Sequence, residues 1–278
     1  MNDTAEQRDP RVAVGQLNGR ADWQANRPVV RALIERAAGE GADVVVLPEN
    51  LLAMPPRPRD LLAMTADSER AIDDLSGWAR AQGIWVVAGT IPLRPADADD
   101  ERVAARTLVF DHRGEIVAQY DKIHLFDVTL PDGREVYRES AVFRPGHDPV
   151  VVDTPAGRLG LATCFDLRFP ELFRQLADLG ADWFCLPSAF TEPTGRAHWE
   201  VLLRARAIEN GCWMVAAAQV GDHADGRRTW GHSMVIDPWG DVLADCGATA
   251  DTVAVADFDL GRRDRLRESF PVQRLRRL

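Results

Sequence analysis

Short apolar runs alternating with amphipathic stretches constrain this chain more than any other feature. The runs fall at 11–17, 44–47, 85–88, 107–110, 115–120, 150–153, 159–163, 183–186, 212–218, 233–236, 241–245 and 252–257. They have strand length and strand composition. Asp111-His-Arg-Gly114, Thr154-Pro-Ala-Gly157 and Asp237-Pro-Trp-Gly240 are Gly-ended polar turns that predict hairpins between neighbouring runs. Helical spacing appears at 23–39 after Asp22 as N-cap, at 68–82 before Gly83, at 171–179 before Gly180, and at 199–210 before Gly211. In the last of these Trp199 reads as packing, and Arg204, Arg206 and Glu209 as a charged face. Hairpins mixed with strand–helix alternation predict a layered α/β architecture. There is no internal repeat and no linker long enough to split the chain. Residues 1–278 therefore read as one domain, with 1–10 a flexible start and 93–105 an exposed insertion.

With 46% hydrophobic residues in 278, the chain can bury an ample core. Its net charge of −10, from 43 acidic and 33 basic residues, argues against bulk binding to nucleic acid or an anionic membrane. The Arg-rich stretch 262–277 is a local exception and reads as a solvated helix and tail. Four cysteines, at 164, 185, 212 and 246, form no C-x-x-C pair, which fits neither a disulfide framework nor a zinc site. Cys185 and Cys212 sit in apolar runs and read as core. The six histidines lack metal-ligand spacing, and there is no Gly-rich phosphate or dinucleotide loop, so neither metal nor cofactor is expected. No run approaches the ~18 apolar residues of a membrane span. The polar N-terminus lacks a signal-peptide core, and a cytoplasmic location is expected.

Three strand ends carry chemistry. Arg158-Leu-Gly-Leu-Ala-Thr-Cys164 ends in a thiol at a strand-to-helix junction, where a helix N-terminus can stabilise a thiolate; the alternative is a small core residue. Val44-Val-Val-Leu-Pro-Glu49 ends in a carboxylate that is either solvated or a base at a pocket rim. Tyr120-Asp-Lys122-Ile-His follows the run at 115–120 and offers either a surface charge or an oxyanion-stabilising cation. Together the three supply nucleophile, base and cation.

Leu-Pro-Glu49, Tyr-Asp-Lys122-Ile-His and Thr-Cys164-Phe-Asp-Leu-Arg-Phe-Pro-Glu171 resemble, in that order, the three signature segments of the nitrilase superfamily of carbon–nitrogen hydrolases. The likeness runs from about Arg11 to the end. The segment from Leu186 to Glu209 and Gly231-His-Ser-Met-Val-Ile-Asp-Pro-Trp-Gly240 resemble the amidase branch acting on deaminated glutathione. The resemblance implies a four-layer αββα sandwich and face-to-face dimers or larger homo-oligomers. It implies Cys164 as nucleophile, Glu49 as general base and acid, and Lys122 with the Phe165 backbone N–H as oxyanion donors. Glu139 would support Lys122. Arg168 would pair with a substrate carboxylate, the competing role being an ion pair with Asp166 or Glu171. Phe190 and Thr194 would line that pocket, and Asp127 and Val128 would shape its entrance. Where related amidases often carry Tyr and Met, this chain has Phe165 and Leu167.

The expected activity is cofactor-free hydrolysis of a small carboxylate-bearing amide, deaminated glutathione first. The alternatives are an ω-amidase for 2-oxoglutaramate, an N-carbamoyl amino acid hydrolase or a nitrilase. A thiol acyltransferase or synthetase module would need a partner segment that is not evident. A non-enzymatic scaffold would have no use for the Glu49, Lys122 and Cys164 trio.

Overall fold

The computed structural model describes residues 8–95, 101–130, 133 and 135–277. The N-terminal half runs β1 (Arg11–Gln16), α1 (Trp23–Gly39), β2 (Val44–Val46), α2 (Thr65–Gln82), β3 (Trp85–Leu93), β4 (Val103–Phe110), β5 (Ile116–Asp121) and β6 (Phe143–Arg144). The C-terminal half runs β7 (Val151–Thr154), β8 (Gly157–Leu161), α3 (Pro170–Asp178), β9 (Trp183–Cys185), α4 (Glu192–Asn210), β10 (Trp213–Ala216), β11 (Val220–Asp222), β12 (Arg228–Trp230), β13 (Met234–Ile236), β14 (Val242–Asp245), β15 (Thr252–Asp257), α5 (Leu260–Ser269) and α6 (Val272–Leu275).

The strands form two mixed sheets. One has the order β15-β1-β2-β3-β4-β5, with β6 beside β4; the other has the order β14-β13-β10-β9-β8-β7. Alternation within each strand decides the layers. Val44 and Val46 face the second sheet, where they pack in a layer with Leu159, Leu161, Trp183 and Val215. Val45, between them, faces Val30, Leu33 and Ile34 of α1 and Leu75 of α2. Phe184 and Met214 face Leu172 and Phe173 of α3 and Trp199 and Leu203 of α4. Three apolar layers separate four structural ones, so the architecture is an αββα sandwich. Each fully buried valine contributes roughly 1.5–3 kcal/mol relative to exposure.

Asp22 caps α1 through the Ala25 N–H, and Gly83 and Gly211 end α2 and α4 in the left-handed conformation. All three glycine-ended turns join antiparallel neighbours. α4 starts seven residues before the expected position, with Pro193 in its first turn, where the missing N–H has no partner to lose. α2 likewise begins at Thr65 rather than 68.

The exposed insertion expected at 93–105 is corrected at both ends. Leu93 belongs to β3, and Val103, Ala104 and Ala105 are buried in β4. Of the remainder, Arg94 and Glu101 are exposed and 96–100 lie outside the described residues, as do residues 1–7 of the expected flexible start. Among the described residues no helix is long and apolar enough to cross a membrane.

Candidate active site

Glu49, Lys122 and Cys164 each lie just beyond a strand of the sandwich, and backbone packing fixes each one. Glu49 follows β2 after Leu47 and Pro48. Its position depends on Gly89 of β3, where an added Cβ would stand 2.0 Å from the Pro48 carbonyl oxygen. Only glycine allows that approach. The Glu49 carbonyl accepts a 2.8 Å hydrogen bond from the Gln219 side chain, whose own carbonyl accepts from the Gly19 N–H at 2.8 Å. Lys122 follows β5, its N–H donating to Ala105 and its carbonyl accepting from the Gly146 N–H.

Cys164 opens a single 3-10 turn, Cys164–Arg168, rather than an α-helix; α3 starts six residues later. Its φ of 48° is a left-handed conformation, rare outside glycine and costing of order 1–3 kcal/mol. The surroundings hold it there. The Cys164 N–H donates to the Pro187 carbonyl at 2.9 Å. Arg206 of α4 donates from Nε and Nη2 to the Leu167 carbonyl at 3.1 and 2.8 Å. Arg206 is thus buried at the end of the nucleophile turn and does not belong to a solvated charged face.

Asp166 joins the cysteine segment to the lysine segment. It is fully buried and accepts four hydrogen bonds, from the Thr163 N–H (2.8 Å), the Tyr120 hydroxyl (2.7 Å), the His124 N–H (3.0 Å) and His124 Nδ1 (2.7 Å). The His124 ring also stacks on Phe169, with centroids 3.7 Å apart. Asp166 is therefore fully engaged away from Arg168. The competing role for Arg168, an ion pair with Asp166 or Glu171, is absent among the described residues.

The charged groups converge in a buried cluster. Lys122 Nζ donates to Glu49 Oε1 at 2.8 Å and to both Glu139 oxygens at 2.8 Å. Glu139 also accepts from the Phe126 N–H at 2.6 Å. Lys122 is 1% exposed and Glu49 3%. Burial opposes the lysine's charge, but Glu139, Glu49 and Cys164 outweigh it and hold the ammonium well above its usual range. Burial, with help from Glu49 and against the pull of Lys122, raises the Glu139 carboxyl. Burial and the neighbouring Glu49 push the Cys164 thiol well above its ordinary range, against the opposing influence of Lys122. Burial thus works against the thiolate expected from a helix N-terminus. Glu49 stands next to both the ammonium and the thiol, so it is the carboxyl placed to exchange a proton with sulfur.

Cys164 lies between two hollows that share it with Phe126 and Ala189. The wider one is lined by Glu49, Lys122, Glu139, Tyr137, Arg138 and Arg227. The smaller one is lined by Phe165, Arg168, Phe190, Thr191 and Thr194. Arg168 stands over the rings of Phe165 (5.7 Å) and Phe190 (5.3 Å), with Nη1 3.3 Å from His198 Nδ1. Among the described residues no carboxylate pairs with it, and burial lowers its pKa. Phe190 both lines this hollow and packs on Trp199 in the core. The Thr194 hydroxyl bonds to Thr191.

Asp127 and Val128 do not line either hollow. Asp127 accepts from Ser140 N–H and Oγ and so braces the Glu139 turn, while Val128 pairs with the Tyr137 backbone. The wider hollow is instead bounded by Tyr137, Arg138 and Arg227. Sequence reasoning missed these three, together with Asp166 and Gln219. Asp166 lies inside the cysteine motif and could have been singled out there. Gln219 carried no signal.

A buried thiol, a carboxylate and a doubly clamped ammonium thus meet at the mouth of an αββα sandwich. The chain belongs to the carbon–nitrogen hydrolase family, which it matches over residues 11–268. It is similar to the deaminated glutathione amidase of Yersinia enterocolitica, at 41% identity over 87% of this chain and 84% of that protein. The fold superposes on the NitFhit protein of C. elegans with a TM-score of 0.91, at 38% identity, covering 98% of this chain and 66% of that one. It superposes on an amidase from Nesterenkonia sp. AN1 with a TM-score of 0.79, at 28% identity, covering 95% and 98%. In a variant of that amidase the acetamide moiety of fluoroacetamide is covalently added at the active site cysteine.

Proposed function

We propose that this protein is an amidase acting on deaminated glutathione, with Cys164, Glu49, Lys122 and Glu139 as its catalytic groups. The observation that carries the reading is the buried Glu49–Lys122–Glu139 contact beside a thiol held at positive φ. The named activity of relatives near 40% identity supports the choice of substrate.

Glu49 takes the thiol proton as Sγ attacks the amide carbon. The oxyanion forms against Lys122 Nζ and the Phe165 N–H. Such a donor contributes roughly 10²–10³-fold in rate. Glu49 returns the proton to the departing nitrogen, leaving a thioester on Cys164. It next takes a proton from water, which attacks the thioester; collapse releases the acid and returns the thiol. Positioned acid–base chemistry is worth about 10²–10⁴-fold. Arg168, with Phe165, Phe190 and Thr194 around it, binds the carboxylate of the α-keto acid end. Its guanidinium, free of carboxylate partners among the described residues, suits a bidentate pair.

The family match over 11–268 supports reading the chain as one catalytic unit. Four free cysteines suit a reducing, cytoplasmic compartment. Exposed Val201 and Ile208 on α4, with Trp239 in the β13–β14 turn and Phe270 and Leu275 near the C-terminus, support a homodimer or larger assembly.

The test is product release from deaminated glutathione, 2-oxoglutaramate, an N-carbamoyl amino acid and a simple nitrile, with intact-protein mass of the acyl adduct. Deaminated glutathione is expected to give the highest kcat/KM, with the adduct on Cys164. Cys164→Ala is expected to abolish both turnover and adduct while remaining folded. Full turnover by that variant would reject the mechanism.

A further inference from the structure

The proposed substrate is charged at both ends, and Arg168 accounts for only one of them. Cleaving deaminated glutathione expels a dipeptide amine that ends in a carboxylate roughly two residues, or about 7 Å, beyond the scissile nitrogen. The Arg168 hollow holds the acyl end, so the leaving group must lie in the wider hollow across Cys164.

One part of that hollow's wall comes from the turn of a hairpin belonging to neither main sheet, β11–β12. Its tip closes through His223 N–H to the Arg227 carbonyl and Gly226 N–H to the His223 carbonyl, and it brings Arg227 to the cavity. Asp225, whose side chain is 6% exposed, grips Arg227 twice, through its backbone N–H at 2.9 Å and through Nε. This grip orients the guanidinium and leaves its terminal nitrogens for other partners. Among the described residues Nη2 meets only the Met54 thioether, at 3.8 Å, a weak acceptor. Arg227 shares the lining of this hollow with Tyr137, whose phenol is pushed up by burial and by Glu135 and pulled partly back by Arg227. Glu135 itself is occupied by the Tyr137 hydroxyl. The second cation on this wall, Arg138, gives Nη1 to the Val128 and Tyr137 carbonyls.

Resting on the functional reading above, we infer that Arg227, oriented by Asp225, is the specificity residue that binds the terminal carboxylate of the leaving dipeptide. It would thereby separate deaminated glutathione from 2-oxoglutaramate, which expels ammonia and offers nothing to bind.

The experiment compares kcat/KM for deaminated glutathione, its C-terminal carboxamide analogue and 2-oxoglutaramate in wild type, Arg227→Ala and Arg227→Lys. Arg227→Ala is expected to lower the ratio of deaminated glutathione to 2-oxoglutaramate about 10–100-fold, the size of one charge-assisted contact. The fall should be chiefly in KM, and Arg227→Lys should restore part of it. For the carboxamide analogue the ratio should move less than about threefold, since its half of the pair is already gone. Proportional losses on all three substrates, or an unchanged ratio while wild type turns over deaminated glutathione, overturn the inference alone. A wild-type enzyme that hydrolyses 2-oxoglutaramate but not deaminated glutathione overturns the functional reading and this inference together.

Discussion

Replacing Asp166 by Asn tests how the catalytic segments are held together. The carboxylate is 0% exposed and receives four donors, two on each oxygen. Tyr120 and Thr163 share Oδ2, while the His124 backbone and ring share Oδ1. An asparagine must turn its NH₂ toward one of these pairs. Toward Oδ2 it faces the Thr163 N–H, and toward Oδ1 the His124 N–H. The Tyr120 hydroxyl or the His124 ring can rotate or change tautomer, but a backbone N–H cannot, so one buried donor is stranded. That costs about 1–3 kcal/mol, and losing the charge from the remaining bonds brings the total to about 2–4 kcal/mol. The consequence reaches the site, because Asp166 ties the Tyr120–His124 segment, which carries Lys122, to the turn that starts at Cys164. A misplacement of about 1 Å between reacting groups costs roughly 10²-fold in kcat. Urea unfolding midpoints give the stability change, and kcat with KM on the preferred amide gives the catalytic one. A stability loss under about 0.5 kcal/mol with kcat within about twofold of wild type would refute the reasoning. A stability loss with kcat intact would make Asp166 a residue of the fold alone.

Three other outcomes are expected. The raised Glu139 carboxyl takes its proton at a higher pH than an ordinary glutamate, near 4.3, so as pH falls the clamp on Lys122 is lost early and the acid limb of kcat lies above that value. Glu139→Gln should lower kcat about 10–100-fold and remove that limb; an unmoved pH–rate profile would count against the role. Arg168→Lys should lower kcat/KM for carboxylate-bearing amides roughly tenfold while a neutral amide of similar size loses less, and equal losses would make Arg168 structural. Gly89→Ala drives a methyl into the Pro48 carbonyl, so it should cost about 3 kcal/mol or more, or prevent folding; circular dichroism with thermal unfolding decides, and a wild-type Tm would contradict the contact.

The sequence by itself determined the strand and helix alternation, the hairpin turns, and Glu49, Lys122 and Cys164 as a set, since each depends on local pattern or on residues contiguous in the chain. Layer order was legible only through resemblance. Val44, Val45 and Val46 are equally apolar, and periodicity cannot say that the outer two meet a second sheet and the middle one a helix. The expected insertion at 93–105 failed for a related reason, because charge around 97–101 hid the start of β4, which pairing with β3 and burial decide. Tertiary structure alone decided the electrostatics. A thiol at a strand end looks set to ionise, yet burial beside Glu49 works against ionisation. It also decided the partners: Arg206 looks like a solvated helix charge until α4 docks against the Leu167 carbonyl, and Arg227 lies 63 residues from Cys164 with no local signal linking them. A hydrogen bond or a shared cavity wall between segments distant in sequence leaves no period in either segment, so it becomes visible only when the chain has closed.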